Sequence, residues 1–291
     1  MSSDLTHSNR QEEPSQKKSA GEILETEIRE GVSALERSAG TLLVSGLSAG
    51  LDLGFSVLLM AIMWTRAQHL AEPVLEMLMA NMYALGFIFV VVGRSELFTE
   101  QTTLAVLPVL DGQASIGALG RAWAIILSAN LVGVSIFAGI AVMVAPHLGV
   151  ASPAAFGHIA SRVVSHTGSV IFFSAMLAGW LMGLLSWLVA AVRDTISQIA
   201  IVWIITSTIG FAGLHHVVLG SCEVLAGVFL NQGVTVGDFF HFLLWATLGN
   251  ICGGVFFVAV IKYGHAKFGG SEAPPEMRPR YQYLRRNGRS R

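Results

Sequence analysis

Gly93-Arg94-Ser95-Glu96-Leu97-Phe98-Thr99-Glu100 is the stretch that decides the fold of this 291-residue chain. It is polar, opens on glycine, and sits inside an apolar run over residues 78–108, where a membrane span should be continuous. A second stretch, Gly210-Phe211-Ala212-Gly213-Leu214-His215-His216-Val217-Val218, interrupts the apolar run 199–230 in the same way. Lipid offers no hydrogen bonds to bare backbone, so irregular chain at membrane depth persists only where protein buries it or where it lines a polar cavity. Paired interruptions in the two halves of a chain point to a transport site.

The surroundings agree. Hydrophobic residues make up 53% of the chain and charged residues 13%, against about 25% charged in a soluble domain; mean hydropathy is +0.62. Between residues 41 and 262 there are 15 charged residues, and the two flanks hold the other 22. The body is therefore expected in the bilayer and the flanks in water. A net charge of −1 gives no reason to expect nucleic acid as a partner. Cys222 and Cys252 lie in apolar segments and suggest neither a disulfide framework nor a metal site. The first twenty residues lack the apolar core of a signal peptide.

A bilayer core of about 30 Å takes roughly 20 apolar residues per helix. The chain then reads as an all-α integral membrane protein with six spans, over residues 41–64, 78–108, 121–144, 169–192, 199–230 and 239–261, the second and fifth broken. Residues 1–21 read as a disordered tail. Residues 22–38 read as an amphipathic helix, with Leu24, Ile28, Val32 and Leu35 on one face. The pore domain spans 39–262, and 263–291 form a basic tail. Lys267, Arg278, Arg280, Arg285, Arg286, Arg289 and Arg291 in that tail, with Arg121 and Arg193 on the same side, place both termini in the cytoplasm; the other side holds only Arg66 and Arg162.

Three features recur in order. Gly46, Gly50 and Gly54 of the first span answer to Gly179 and Gly183 of the fourth, the two breaks answer to one another, and Asn130–Gly133 of the third answers to Asn250–Gly253 of the sixth. Three spans repeated once imply a 3+3 inverted repeat. Small residues four apart let helices approach closely.

The chemistry is expected at the breaks. His216, or its neighbour His215, is an intramembrane ionisable group and hence a pathway residue; two adjacent side chains do not both face one pathway. Thr99 offers a hydroxyl that can donate to an anion or accept from an acid. Leu97, Phe98 and Phe211 are read as a hydrophobic constriction that strips water from a solute. Gly93, Glu96, Gly213 and Asn130 are read as structural at the breaks, Glu96 by accepting backbone N–H bonds. Arg94 and Glu96 are a possible neutralising pair. Asn250 is expected to orient the histidine. Asp52 is read as a half-helix cap and Glu223 as a residue at a pore mouth.

At these residues the sequence resembles the formate/nitrite transporter family. Gly93, Ser95, Glu96, Leu97, Phe98 and Thr99 match its first break and His216 its second; Trp123, Asn130 and Gly133 match its third span, and Gly249, Asn250, Gly253 and Gly254 its sixth. The likeness runs over residues 22–265. It implies an aquaporin-like protomer in a homopentamer of the inner (plasma) membrane. Each protomer has its own pore for small monovalent anions such as formate, nitrite and hydrosulfide, and two constrictions flank a chamber holding the threonine and histidine. Around the second break this chain has Leu214-His215-His216-Val217-Val218-Leu219-Gly220, with Met182-Gly183 in the fourth span and Glu100-Gln101 after the Leu-Phe-Thr. These departures place it with a divergent branch.

A bare anion meets a desolvation cost of several kcal/mol or more in an apolar gap, so crossing as the protonated acid is the expected mechanism, with half-helix N-termini attracting the anion to the vestibules. The alternatives are a pore for another neutral or weakly ionised solute, such as ammonia or a small organic acid, and, remotely, a membrane metalloenzyme built on His215 and His216. No cofactor, metal or catalytic residue is expected.

Overall fold

The computed structural model describes residues 18–268, and these are helical throughout, with no strand among them. Both the tail read over residues 1–21, up to residue 17, and the basic tail from residue 269 onward lie outside the described residues.

Helix α1 (Ala20–Glu36) starts at a Ser19–Glu22 capping box and turns Ile23, Leu24, Gly31 and Leu35 inward. It is followed by α2 (Ala39–Ala67), α3 (Glu72–Val92), the short α4 (Phe98–Leu104) and α5 (Leu107–Leu110), and α6 (Ile116–His147). Next come α7 (Pro153–Val164), α8 (Gly168–Ala191), α9 (Thr195–Phe211) and α10 (Val217–Phe229). The chain closes with α11 (Val236–Cys252), a π-helical continuation over Gly253–Val260, and α12 (Ile261–Phe268). Ser38, Ser115, Ser152, Asp194 and Thr235 cap their helices by accepting a backbone N–H three residues on, which is why the elements start where they do.

Among the described residues five helices are long and apolar enough to cross a membrane: α2, α3, α6, α8 and the stretch Val236–Ala266. The stretch read as a broken fifth span holds two shorter apolar helices, α9 and α10. Helix α7, absent from the sequence reading, carries His158 and Arg162.

Two pairs of long helices pack with almost no gap. Helix α2 lies on α6, and a Cβ added at Gly50 would come within 2.9 Å of the Gly133 Cα, and one at Gly133 within 2.9 Å of the Gly50 Cα. Helix α8 lies on α11 and its π continuation, and a Cβ at Gly179 would come within 2.8 Å of the Asn250 Cα. Such close backbone contact needs a glycine on at least one of the two faces. It also carries the two asparagines up to the breaks.

Candidate functional site

Helices α3 and α9 end in the same turn. In the first, the Gly93 N–H reaches Phe89 O and the Ser95 N–H reaches Val90 O; in the second, the Ala212 N–H reaches Thr208 O and the Leu214 N–H reaches Ile209 O. This six-to-one closure requires one left-handed residue. It is Arg94 (φ 56°) in the first turn and Gly213 (φ 62°) in the second, so Gly93 itself remains in the helical region as the C-cap.

Five non-helical residues then lead into each following helix, and an asparagine holds them in place. Asn130 accepts from the Phe98 N–H at 2.9 Å and donates to Gly46 O and Glu96 O at 2.8 and 2.9 Å. Asn250 accepts from the Val217 N–H at 2.8 Å and donates to Ala175 O and His215 O at 2.7 and 3.0 Å. Asn250 was expected to orient the histidine; its amide instead binds backbone, in the same manner as Asn130. The first N–H of each following helix is therefore already taken by an amide oxygen.

The two breaks meet at one hydrogen bond. Thr99 Oγ1 lies 2.7 Å from His216 Nε2, and both residues are buried. The other ring nitrogen, Nδ1, accepts from the Leu219 N–H at 3.2 Å. That bond assigns the ring proton to Nε2, because a nitrogen accepting an N–H carries none. His216 thus donates to Thr99 Oγ1, which leaves the threonine's own proton for another acceptor. The Phe87 ring meets the imidazole edge-on at 4.9 Å, and Leu97, Phe98 and Phe87 are each 0–1% exposed.

Cavities lie on either side of this layer. The α7-side cavity, about 290 Å³, is lined by Tyr83, His215, His216 and Glu223 together with the Arg162–Glu76 ion pair (2.9 Å). The α1-side cavity, about 480 Å³, is lined by Glu30, Arg37, Arg94, Glu96 and Glu100. Thr99, Leu97 and Phe98 line neither.

Other candidates are placed differently from the sequence reading. Phe211 is 54% exposed at the end of α9, outside the buried layer, because it lies on the helix face opposite the buried Val202, Thr206 and Ile209. The Glu96 carboxylate binds side chains rather than backbone: Arg37, at the end of α1, pairs with one oxygen and Gln101 donates to the other. Its partner is thus Arg37 and not Arg94. The backbone N–H of Glu96 goes to Ser45 Oγ at 3.0 Å. Asp52 accepts from Ser48 on its own helix at 3.3 Å and caps nothing. His215 bridges Ser174 Oγ (2.8 Å) and Val163 O (3.0 Å), which ties the second break to α7.

Sequence reasoning missed Arg37, Gln101, Ser45 and Ser174. Arg37, Ser45 and Ser174 act through long-range contacts that no local spacing signals, and Gln101 reaches Glu96 only because the break folds the chain back over five residues. Among the described residues no group of three or more His, Cys, Asp or Glu side chains is placed to hold a metal.

The formate/nitrite transporter family matches residues 21–264 of this chain. The chain is 33% identical over 243 residues to inner membrane protein YfdC of Escherichia coli (strain K12), covering 82% of this chain and 76% of that protein. It is 32% identical over 240 residues to a probable formate transporter of Methanothermobacter thermautotrophicus, covering 76% and 87%. A solved pentameric formate channel with formate bound superposes with a TM-score of 0.65 at 22% identity, over 77% of this chain and 96% of that one.

Proposed function

The chain belongs to the formate/nitrite transporter family, and from that premise we infer that it is a membrane pore for the small monovalent anions of weak acids, such as formate, nitrite and hydrosulfide, moved together with a proton. The observation that carries this reading is the Thr99–His216 hydrogen bond in a closed layer between two cavities that each hold charged side chains.

The physical problem is the closed layer. An anion leaving either cavity would exchange water for Leu97, Phe98 and Phe87, and an unpaired charge in such surroundings is costly. Adding a proton removes most of that cost. The neutral acid then needs only a donor and an acceptor in passing, and the hydroxyl of Thr99 can be both. His216 fixes that hydroxyl by donating to it, so the threonine proton points away from the ring toward the solute. Leu97 and Phe98 form the constriction. Asn130, Asn250, Glu96, Gly93 and Gly213 hold the two breaks around it.

The matched asparagine clamps and matched helix-end turns support an architecture of six spans in a 3+3 inverted repeat, with spans two and five broken and α9–α10 as the fifth. On this reading the pore domain covers residues 39–262, α1 lies at its cytoplasmic mouth, and both termini are cytoplasmic in the inner membrane. A homopentamer is the expected assembly. It is supported by the pentameric neighbour and by the many apolar side chains left exposed on one protomer, such as Val44, Phe173 and Trp203. A flux panel in reconstituted vesicles, with formate, nitrite, hydrosulfide, acetate, lactate and ammonium, tests the substrate class. Selective passage of the first three is expected, and passage of ammonium alone would overturn it.

A further inference from the structure

We propose that Glu100 and Glu223 are the proton-exchanging groups of this pore, one in each cavity. The inference rests on the pore function above and names the groups that make it work.

His216 is poorly placed to give up a proton. Its Nε2–H is engaged with Thr99, and Nδ1 faces the N–H of Leu219, so a second ring proton would set two donors against each other. Its geometry suits a fixed hydrogen-bond donor. The proton must come from another group within reach of each side of the closed layer.

Each cavity has one carboxyl that fits. Glu100 follows Thr99 directly on α4 and lines the α1-side cavity. Glu223 lies on α10, seven residues after His216, and lines the α7-side cavity. Seven residues are close to two turns of 3.6, which puts Glu223 on the face of His216 about 10 Å further along the axis. Neither carboxyl makes a hydrogen bond or ion pair among the described residues, unlike Glu96 and Glu76, which are held by Arg37 and Arg162. Ionisable side chains at this depth are costly unless they are used. The first cavity offers a further fitting group: the Gln101 amide oxygen is buried and has no donor among the described residues, so it can accept from the O–H of a newly formed acid.

The surroundings differ on the two sides. Glu100 shares its cavity with Lys18, Glu30 and Arg37 from the α1 segment, Arg94 and Glu96 from the first break, and Arg193 from the α8–α9 connection, and the buried Glu27 of α1 lies close enough to feel its charge. Glu223 shares its cavity with Glu76 and Tyr83 of α3, Arg162 of α7, and His166 and His215. The basic groups of the first cavity gather anions beside a proton donor.

The step balances. The O–H bond of the Glu100 carboxyl breaks as the O–H bond of the acid forms, leaving a carboxylate. The neutral acid passes Thr99 and His216. Its O–H bond then breaks as the Glu223 carboxylate takes the proton, and the anion leaves. Glu223 returns the proton to solvent on its side and Glu100 takes one from solvent on the other. One anion and one proton move together, and in the reverse direction the two carboxyls exchange roles.

The test uses the full chain in liposomes, with radiolabelled formate and an internal pH-sensitive dye. Glu100→Gln and Glu223→Gln should each lower the initial formate rate by about 100-fold, the usual order for loss of a proton donor, and flatten its pH profile. Glu100→Asp and Glu223→Asp should keep substantial flux with a displaced profile. Glutamine variants with wild-type rate and pH profile would overturn the relay while leaving the pore function standing; wild-type vesicles that move no formate would remove the pore function and the relay with it. If a glutamine variant fails to assemble, the aspartate variant decides: a profile identical to wild type counts against the relay.

Discussion

Asn130 and Asn250, in opposite halves of the chain, hold the two helix breaks with the same three hydrogen bonds. Each accepts from the first N–H of the helix after its break and donates to two carbonyls, one in the break and one on a long helix. A break at membrane depth leaves backbone groups that lipid cannot satisfy. Here an amide on a neighbouring helix satisfies them, and the close approach through Gly50–Gly133 and Gly179–Gly253 brings that amide within reach.

Asn130→Ala and Asn250→Ala should therefore be similarly damaging. Each orphans one buried N–H and one carbonyl of the break at about 1–3 kcal/mol per group, while the helix carbonyl keeps the N–H of its own helix, so a loss of about 2 kcal/mol or more is expected. Thermal unfolding of the detergent-solubilised protein measures it. A melting temperature within a degree or so of wild type for either variant would contradict the clamp.

Gly50→Val and Gly179→Val should fail for a different reason. The added side chain would collide with backbone on the partner helix rather than with a flexible side-chain end. Overpacking of this kind costs about 1–3 kcal/mol where neighbours can yield, and backbone yields least. Size-exclusion profiles should show loss of the wild-type oligomer. The control Gly139→Val, where nothing lies within 4 Å of the added Cβ, should leave the profile unchanged.

Much of this was legible in the sequence because the breaks are local signals. Polar residues and glycines inside apolar runs give away α3–α4 and α9–α10, and Thr99 and His216 stand out as polar groups within them. What was not legible depends on distance. Arg37 looks like the polar end of an amphipathic helix until α1 is seen to end beside Glu96. Phe211 reads as a constriction residue until its place on α9 is known, opposite the face that Val202, Thr206 and Ile209 bury. Asn250 sits in the same half of the chain as His216, yet its amide is used up by backbone. Helix α7 escaped because a 12-residue segment between two spans, opening on Ser-Pro, looks like a connecting loop.

Glu27 gives a pH dependence to the docking of α1. It is buried and accepts from Ser186 Oγ of α8 at 2.9 and 3.1 Å. Burial pushes its carboxyl up from 4.5 to about 8; the Ser186 hydroxyl opposes the rise, while Glu30 and Glu100 add to it. A docked pKa above the undocked one means that, between pH 4.5 and 8, the docked state holds a proton the undocked state lacks. Docking is thus strongest below that window and weakens as pH rises through it. Hydrogen exchange of α1, corrected for intrinsic rates, should show protection falling across the window in wild type and staying level in Glu27→Gln. Parallel slopes for the two proteins would contradict this.

Thr99 separates the hydroxyl from the shape. Thr99→Val keeps the volume but leaves the His216 Nε2–H without an acceptor, whereas Thr99→Ser keeps the oxygen. Formate flux should fall by at least about tenfold in the valine variant, the equivalent of losing about 1.4 kcal/mol, and remain within a few-fold of wild type in the serine variant. Equal flux in the two would show that the hydroxyl does not handle the solute.

The central claim is that the anion crosses the Thr99–His216 layer together with a proton. Formate uptake into proteoliposomes, with and without an inward proton gradient, tests it most directly. The account predicts faster uptake with the gradient, proton entry in step with formate, and a lower formate rate in His216→Phe, where Thr99 loses its fixed donor. Uptake indifferent to the gradient, and unchanged in His216→Phe, would contradict it.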